Sequence, residues 1–209
     1  MGNEFDLNQA YSLKTPEDSI RHYKNTARIY DTGFAEEMDY ILPFHVFNIF
    51  HTNFNSAGPI LDVGAGTGLV GALLKDSLSN NVDGIDISQD MLNVAQEKKI
   101  YDKAILADLT KPLYFDSHIY NGIVSAGTFT LGHVGPEALD ELLRIGRSGC
   151  LFVISVNTQH FESDGFLTKF QSLENIITNY EEKIVNNYGP KSKSEHKDDT
   201  GTVVSFLKR

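Results

Sequence analysis

Apolar positions along the chain alternate between short continuous runs and stripes at helical spacing. The run 60–63, with Ile60, Leu61 and Val63 around Asp62, reads as a short buried strand, and 69–74 continues as an apolar helix face. The alternation then repeats. Strands are predicted at 82–88, 103–107, 120–125 and 151–156, and helices at 89–98, 137–145 and 166–179. In the last of these helices Phe166, Leu167, Phe170, Leu173, Ile176 and Ile177 are spaced for one face. Two alternating strands, 182–188 and 202–207, flank a polar loop at 189–200 whose Lys191, Lys193, His196 and Lys197 read as solvated. Alternating strands and helices closed by a strand pair predict an α/β fold, a doubly wound and mostly parallel sheet with helices on both faces.

Ahead of this pattern, 8–32 carries Tyr11, Ile20, Tyr23, Ile29 and Tyr30 among charged residues, the spacing of one or two amphipathic helices. Thr15-Pro16-Glu17-Asp18 supplies a helix start, with Thr15 as cap and Pro16 in the first turn. Residues 38–54 are apolar enough for a buried helix leading into the first strand. The division expected is a helical segment at 1–55 belonging to the same domain as the ligand-binding part, 56–209.

Candidate chemistry concentrates where the first strand meets its helix. Gly64, Gly66 and Gly68 allow positive φ and let backbone N–H groups approach a ligand at a helix N-terminus. A dinucleotide fingerprint counted from Gly64 needs its third glycine at 69, where the chain has Leu69. Asp62, at the strand end, would repel a pyrophosphate and attract a cationic amine. The corner therefore suits an amino-acid-like ligand. Asp86 ends the second strand at the distance where α/β nucleotide folds place a carboxylate against a ribose diol.

These residues resemble motif I of the class I S-adenosylmethionine-dependent methyltransferases, an acidic residue two before Gly-x-Gly-x-Gly, present as Asp62-Val63-Gly64-Ala65-Gly66-Thr67-Gly68. Gly84-Ile85-Asp86-Ile87-Ser88 looks like the family's next motif, and Leu131-Gly132-His133-Val134 with Ala138-Leu139-Asp140-Glu141-Leu142 is similar to the small Williams-Beuren-region methyltransferase group. The resemblance implies a seven-stranded Rossmann-like sheet, its last strand antiparallel, under an N-terminal helical lid. It implies S-adenosyl-L-methionine as cofactor, with Asp62, Gly64, Ala65, Gly66 and Gly68 at its methionine part. Asp86, Ile87, Ser88 and Met91 would serve the ribose side, Ala107, Asp108 and Leu109 the adenine, and Ser125 and Ala126 the backbone approach to the methionine moiety. Tyr30, in a Tyr-Asp element, would close over the cofactor.

The stretch 125–134 borders the substrate side, and Gly127, Phe129 and His133 are the candidate substrate residues. It has no proline, unlike the Asn/Asp-Pro-Pro-aromatic pattern of methyltransferases acting on DNA bases or glutamine amides. His133 is also the candidate catalytic base, against the alternative of a histidine satisfied by its own loop. Around 147–150 the family's Arg-Pro-Gly-Gly reads Arg147-Ser148-Gly149-Cys150, a change in turn stiffness.

Composition narrows the partners. The 209 residues carry a net charge of −10, which argues against nucleic acid and leaves a small-molecule substrate. Cys150 is the only cysteine, so no intrachain disulfide or cysteine-based zinc cluster can form, and it reads as a buried small hydrophobe. His45 and His51 lack partners at ligand spacing, and no metal is expected. Without a signal-like start or an apolar run of about eighteen residues, the chain reads as cytoplasmic, with no membrane contact. Two other readings stay open, a non-catalytic domain that binds the cofactor or its demethylated product, and an NAD-dependent oxidoreductase. Neither the acceptor nor the oligomeric state is legible in the sequence.

Overall fold

The computed structural model describes residues 7–130 and 133–209. Leu131 and Gly132, on which part of the subgroup resemblance rests, lie outside the described residues. Among the described residues, seven strands form one sheet in the order β3-β2-β1-β4-β5-β7-β6. The strands are β1 (Ile60–Val63), β2 (Val82–Asp86), β3 (Lys103–Leu106), β4 (Tyr120–Phe129), β5 (Gly146–Asn157), β6 (Ile177–Asn186) and β7 (Thr200–Lys208). β1 to β5 pair in parallel, whereas β7 runs antiparallel to both β5 and β6. This is the Rossmann-like order expected, with the chain reversing direction of travel between β1 and β4, where open α/β sheets form their crevice.

Helices cover both faces because adjacent residues of a central strand point to opposite sides. Leu61 and Val63 bury one face together with Leu139 and Leu142 of α6 (Ala138–Ile145), Phe161 of α7 (Thr158–Ser163), and Phe166 and Phe170 of α8 (Phe166–Ser172). Ile60 buries the other with Val46 and Phe50 of α3 (Leu42–Asn53) and Val70 and Leu74 of α4 (Leu69–Ser77). Each such side chain, fully withdrawn from water, contributes roughly 1.5–3 kcal/mol. α5 (Gln89–Glu97) packs on β2 and β3, and α2 (Pro16–Thr26) lies on α5. Thr15 caps α2 as expected, accepting the Asp18 N–H, with Pro16 at its first turn. A short α1 (Leu7–Tyr11) precedes it, and a π-helical turn over Tyr30–Glu36 follows.

Several expected boundaries are corrected. The helix predicted over 166–179 stops at Ser172, and β6 begins at Ile177 because the open edge of β7 offers backbone partners, Ile177 pairing with Lys208. Asn179, at φ +53°, takes up the resulting irregularity. β4 runs four residues past the expected 125, through a register shift between Ser125 and Phe129. β5 starts at Gly146, with Arg147, Ser148 and Gly149 exposed before the buried run from Cys150. His196 packs edge-on against Tyr11 at 5.4 Å and bonds Asp199 and Asn8, so it is not simply solvated. Cys150 is buried, and burial pushes its thiol up to about 12.

Candidate active site

The carboxyl ends of β1, β2 and β4 border a cleft of about 750 Å³ that is open to solvent on one side. The glycine corner makes its floor. Gly64 sits at φ +66° with Thr128 packed against it, so an added Cβ would fall 1.8 Å from the Thr128 Oγ1. Gly66, at φ +53°, lies beside Met91, whose Cε would stand 3.6 Å from an added Cβ, an ordinary contact. Gly64→Ala is accordingly expected to unseat Thr128, whose Oγ1 donates to the Val63 carbonyl at 3.0 Å, and to abolish ligand binding in a calorimetric titration. Retained binding would show that the corner tolerates a side chain.

Asp86 lines the cleft. Its Oδ2 accepts the Gly66 N–H and its Oδ1 the Ser88 N–H, each at 2.8 Å. Burial raises its pKa while those N–H donors oppose the rise. Two carboxylate oxygens have about four acceptor sites, so the backbone N–H groups leave acceptor capacity for a ligand hydroxyl. Ser88 is buried as the cap of α5, accepting the Met91 N–H, and places Met91 on the cleft wall.

Asp62 lies behind the glycine corner, only 1% exposed, in a smaller recess shared with Tyr30, Gly64, Ala65, Gly66 and Ala126. The Tyr101 hydroxyl donates to its Oδ2 at 2.7 Å. Desolvation lifts its carboxyl to about 7 against that bond. No cationic side chain pairs with it among the described residues.

The remaining sequence candidates divide. Tyr30, Ile87, Ala107, Leu109, Ala126, Gly127 and His133 line the cleft. Asp108 does not; its Oδ1 takes the Thr110 N–H and hydroxyl at 2.9 and 2.6 Å, and its Oδ2 pairs with Lys111 at 2.8 Å, holding its pKa low. Ser125 is fully buried and donates to the Val63 carbonyl, Gly68 starts α4, and Phe129 is fully buried edge-on to Phe166 at 5.9 Å. His133 places its Nε2 3.2 Å from the Tyr23 hydroxyl, within the cleft.

Sequence reasoning missed several contributors. Tyr23, Thr110 and Thr128 also line the cleft, and Asp31 latches the N-terminal segment onto it. Asp31 accepts the Thr67 hydroxyl at 2.5 Å and pairs with Lys98, whose Nζ also donates to the Thr67 carbonyl at 2.9 Å. The Tyr30-Asp31 pair was visible as a motif, but nothing local announced that Asp31, not only Tyr30, would touch the glycine corner.

Residues 60–149, from β1 through the bulged start of β5, match the family described as methyltransferase domain. The chain carries a class I, S-adenosylmethionine-dependent methyltransferase domain. Solved structures agree with it in fold. A SAM-dependent methyltransferase from Aquifex aeolicus superposes with a TM-score of 0.61 at 17% identity, covering 88% of this chain and 98% of that one. A TehB-like SAM-dependent methyltransferase from Corynebacterium glutamicum gives 0.59 at 18% identity, covering 93% and 98%. A Haloferax volcanii protein in complex with a methyltransferase activator gives 0.65 at 15% identity, covering 90% and 98%. No curated protein matches the chain.

The methyltransferase's own residues fit the cofactor. An ammonium group would complete the buried, cation-free carboxylate of Asp62, and a diol would find open acceptor capacity on Asp86. The oxidoreductase alternative falls with the family. Among the described residues no helix is long and apolar enough to cross a membrane, and no group of three His, Cys, Asp or Glu is placed to hold a metal.

Proposed function

We propose that this methyltransferase acts on a small-molecule acceptor, and that the N-terminal segment through residue 55 is the lid that closes over it. The observation that carries the reading is enclosure. The cleft is walled on one side by Pro16, Ser19, Tyr23 and Tyr30 of that segment, opposite Gly127 and His133, which favours a compact acceptor. The net charge of −10 likewise supports no nucleic-acid partner. The lone, buried cysteine supports a cytoplasmic setting.

In this reading Asp62 and the 64–68 corner hold the methionine part, Asp86, Ile87, Ser88 and Met91 the ribose, and Ala107, Asp108 and Leu109 the adenine side. Asp108 enters through Oδ2, exchanging its exposed Lys111 partner, a weak surface pair, for an amino N–H. Ser125 and Ala126 keep the end of β4 close to the glycine corner. Gly127, Phe129 and His133 form the acceptor side.

When bound, S-adenosylmethionine supplies a methyl already activated by the sulfonium. The protein's part is alignment and exclusion of water, with Tyr30 and the Asp31 latch holding the lid down. His133, steadied by Tyr23, takes a proton from the acceptor. His133→Ala is expected to lower kcat by about 100-fold and to remove the acidic limb of the pH–rate profile. An unchanged rate at every pH would remove His133 from proton transfer.

The test is calorimetric titration of the wild type with S-adenosylmethionine and S-adenosylhomocysteine, followed by transfer of radiolabelled methyl to a panel of small amines, phenols and carboxylates. Binding with label in a small product is expected. Absence of binding, or label recovered only in macromolecules, would overturn the proposal.

A further inference from the structure

Beside the cofactor cleft lies a second, smaller chamber, partly open to solvent. The two cavities share Tyr23, Tyr30, Gly127 and His133, so whatever occupies the second chamber faces the first across those four residues. Its inner wall is aromatic. Tyr30 and Phe34 pack at 4.9 Å and 44°, Phe34 and Tyr40 at 5.0 Å and 48°, Tyr40 and Tyr188 at 5.7 Å and 43°, and Phe34 meets Tyr188 at 6.4 Å and 89°. No neighbouring rings are parallel, so they make a curved cup and not a slot for a flat ring.

The chamber's chemistry is one-sided. Among its lining residues there is no lysine, arginine or carboxylate. Burial raises the phenol pKa values of Tyr30, Tyr40 and Tyr188, which keeps the rings neutral. Asn187 lines the same space, 6% exposed, and its Oδ1 is buried with no hydrogen-bond partner among the described residues. Aromatic faces are electronegative and attract cations, while anions gain nothing there. An unpaired carbonyl oxygen is satisfied by an N–H donor.

We propose that this chamber is the acceptor site and that the acceptor is a small primary or secondary alkyl amine, received as its ammonium form by the Tyr30, Phe34, Tyr40 and Tyr188 cup with Asn187, and methylated on nitrogen. The inference rests on the methyl-transfer reading above. The ammonium gives one proton to His133. The freed lone pair forms a bond to the methyl carbon, and sulfur keeps the electron pair of the broken carbon–sulfur bond. The product leaves as an N-methylated ammonium, and the proton on His133 passes to solvent.

The chamber is tested by titrating the full chain, saturated with S-adenosylhomocysteine, with 3-methylbutan-1-amine, its neutral isostere 3-methylbutan-1-ol, and 3-methylbutanoate. The amine is expected to bind at least tenfold more tightly than the alcohol, with the carboxylate weakest. Tyr188→Leu and Asn187→Leu should each weaken the amine about tenfold and leave S-adenosylhomocysteine affinity unchanged, and Tyr188→Phe should retain the preference. Equal binding of amine and alcohol, or tighter binding of the carboxylate, overturns the proposal; should either variant fail to fold, this wild-type comparison alone decides it. If S-adenosylhomocysteine itself does not bind, the methyl-transfer reading falls, and the amine and alcohol titrations on the free protein still decide what the chamber selects.

Discussion

Asp86→Ala is expected to weaken S-adenosylhomocysteine binding by one to two orders of magnitude. Hydrogen bonds to a charged group contribute about 1.5–3 kcal/mol each, and each 1.4 kcal/mol is a factor of ten in affinity. The carboxylate has a second task, since it holds the Gly66 and Ser88 N–H groups and so ties the glycine corner to the start of α5. Alanine removes both functions at once. Asp86→Asn separates them, because its oxygen can still accept one backbone N–H while the charge is gone. Affinity in the alanine variant equal to wild type would mean that Asp86 serves the corner and no ligand.

Asp62→Asn is expected to stabilise the free protein at neutral and alkaline pH while weakening cofactor binding. Burial raises the Asp62 carboxyl from the ordinary 3.8 to about 7. Between those two values the folded state holds the proton that the unfolded chain has released, so folding stability from this group is full below about pH 4 and is lost as pH rises to about 7. At roughly 1.4 kcal/mol per pH unit the loss amounts to about 4 kcal/mol. Asparagine does not titrate. In thermal unfolding the variant should exceed wild type by roughly 8 °C or more at pH 8 and converge with it near pH 4. The wild type should also release protons on binding S-adenosylmethionine near pH 6.5, read as a dependence of calorimetric heat on buffer ionisation, because a cation beside Asp62 favours its charged form. A variant less stable than wild type at pH 8 would show that the carboxylate is held by partners that compensate its burial.

Both predictions turn on residues that the sequence singled out, and both take their size from neighbours that it did not. Asp62 was legible as the acid before the glycines, yet its raised pKa comes from burial within the fully buried β1, opposed by the hydroxyl of Tyr101, thirty-nine positions away. Nothing in the sequence assigned Tyr101 a part at this corner. Asp108 read as a ligand for adenine, and its Thr110 and Lys111 contacts, all within three residues, are the local alternative that a strand-end aspartate also allows. The helix over 166–179 failed for a related reason. Its apolar spacing suits a helix, but the unpaired edge of β7 claims Ile177 onward as a strand.

What the sequence determined by itself is whatever depends on short-range backbone chemistry. Glycines at 64, 66 and 68 set the corner, Thr15 and Pro16 start α2, and the alternation of apolar runs dictates a doubly wound sheet, because period and turn chemistry act within a few residues. Tertiary structure alone decided that β7 inserts between β5 and β6, and with it the approach of Tyr188 to Phe34 and Tyr40. The aromatic cup is assembled from segments some 150 residues apart. No local pattern encodes such a meeting, since it follows from where the sheet carries each strand end and from the burial that results.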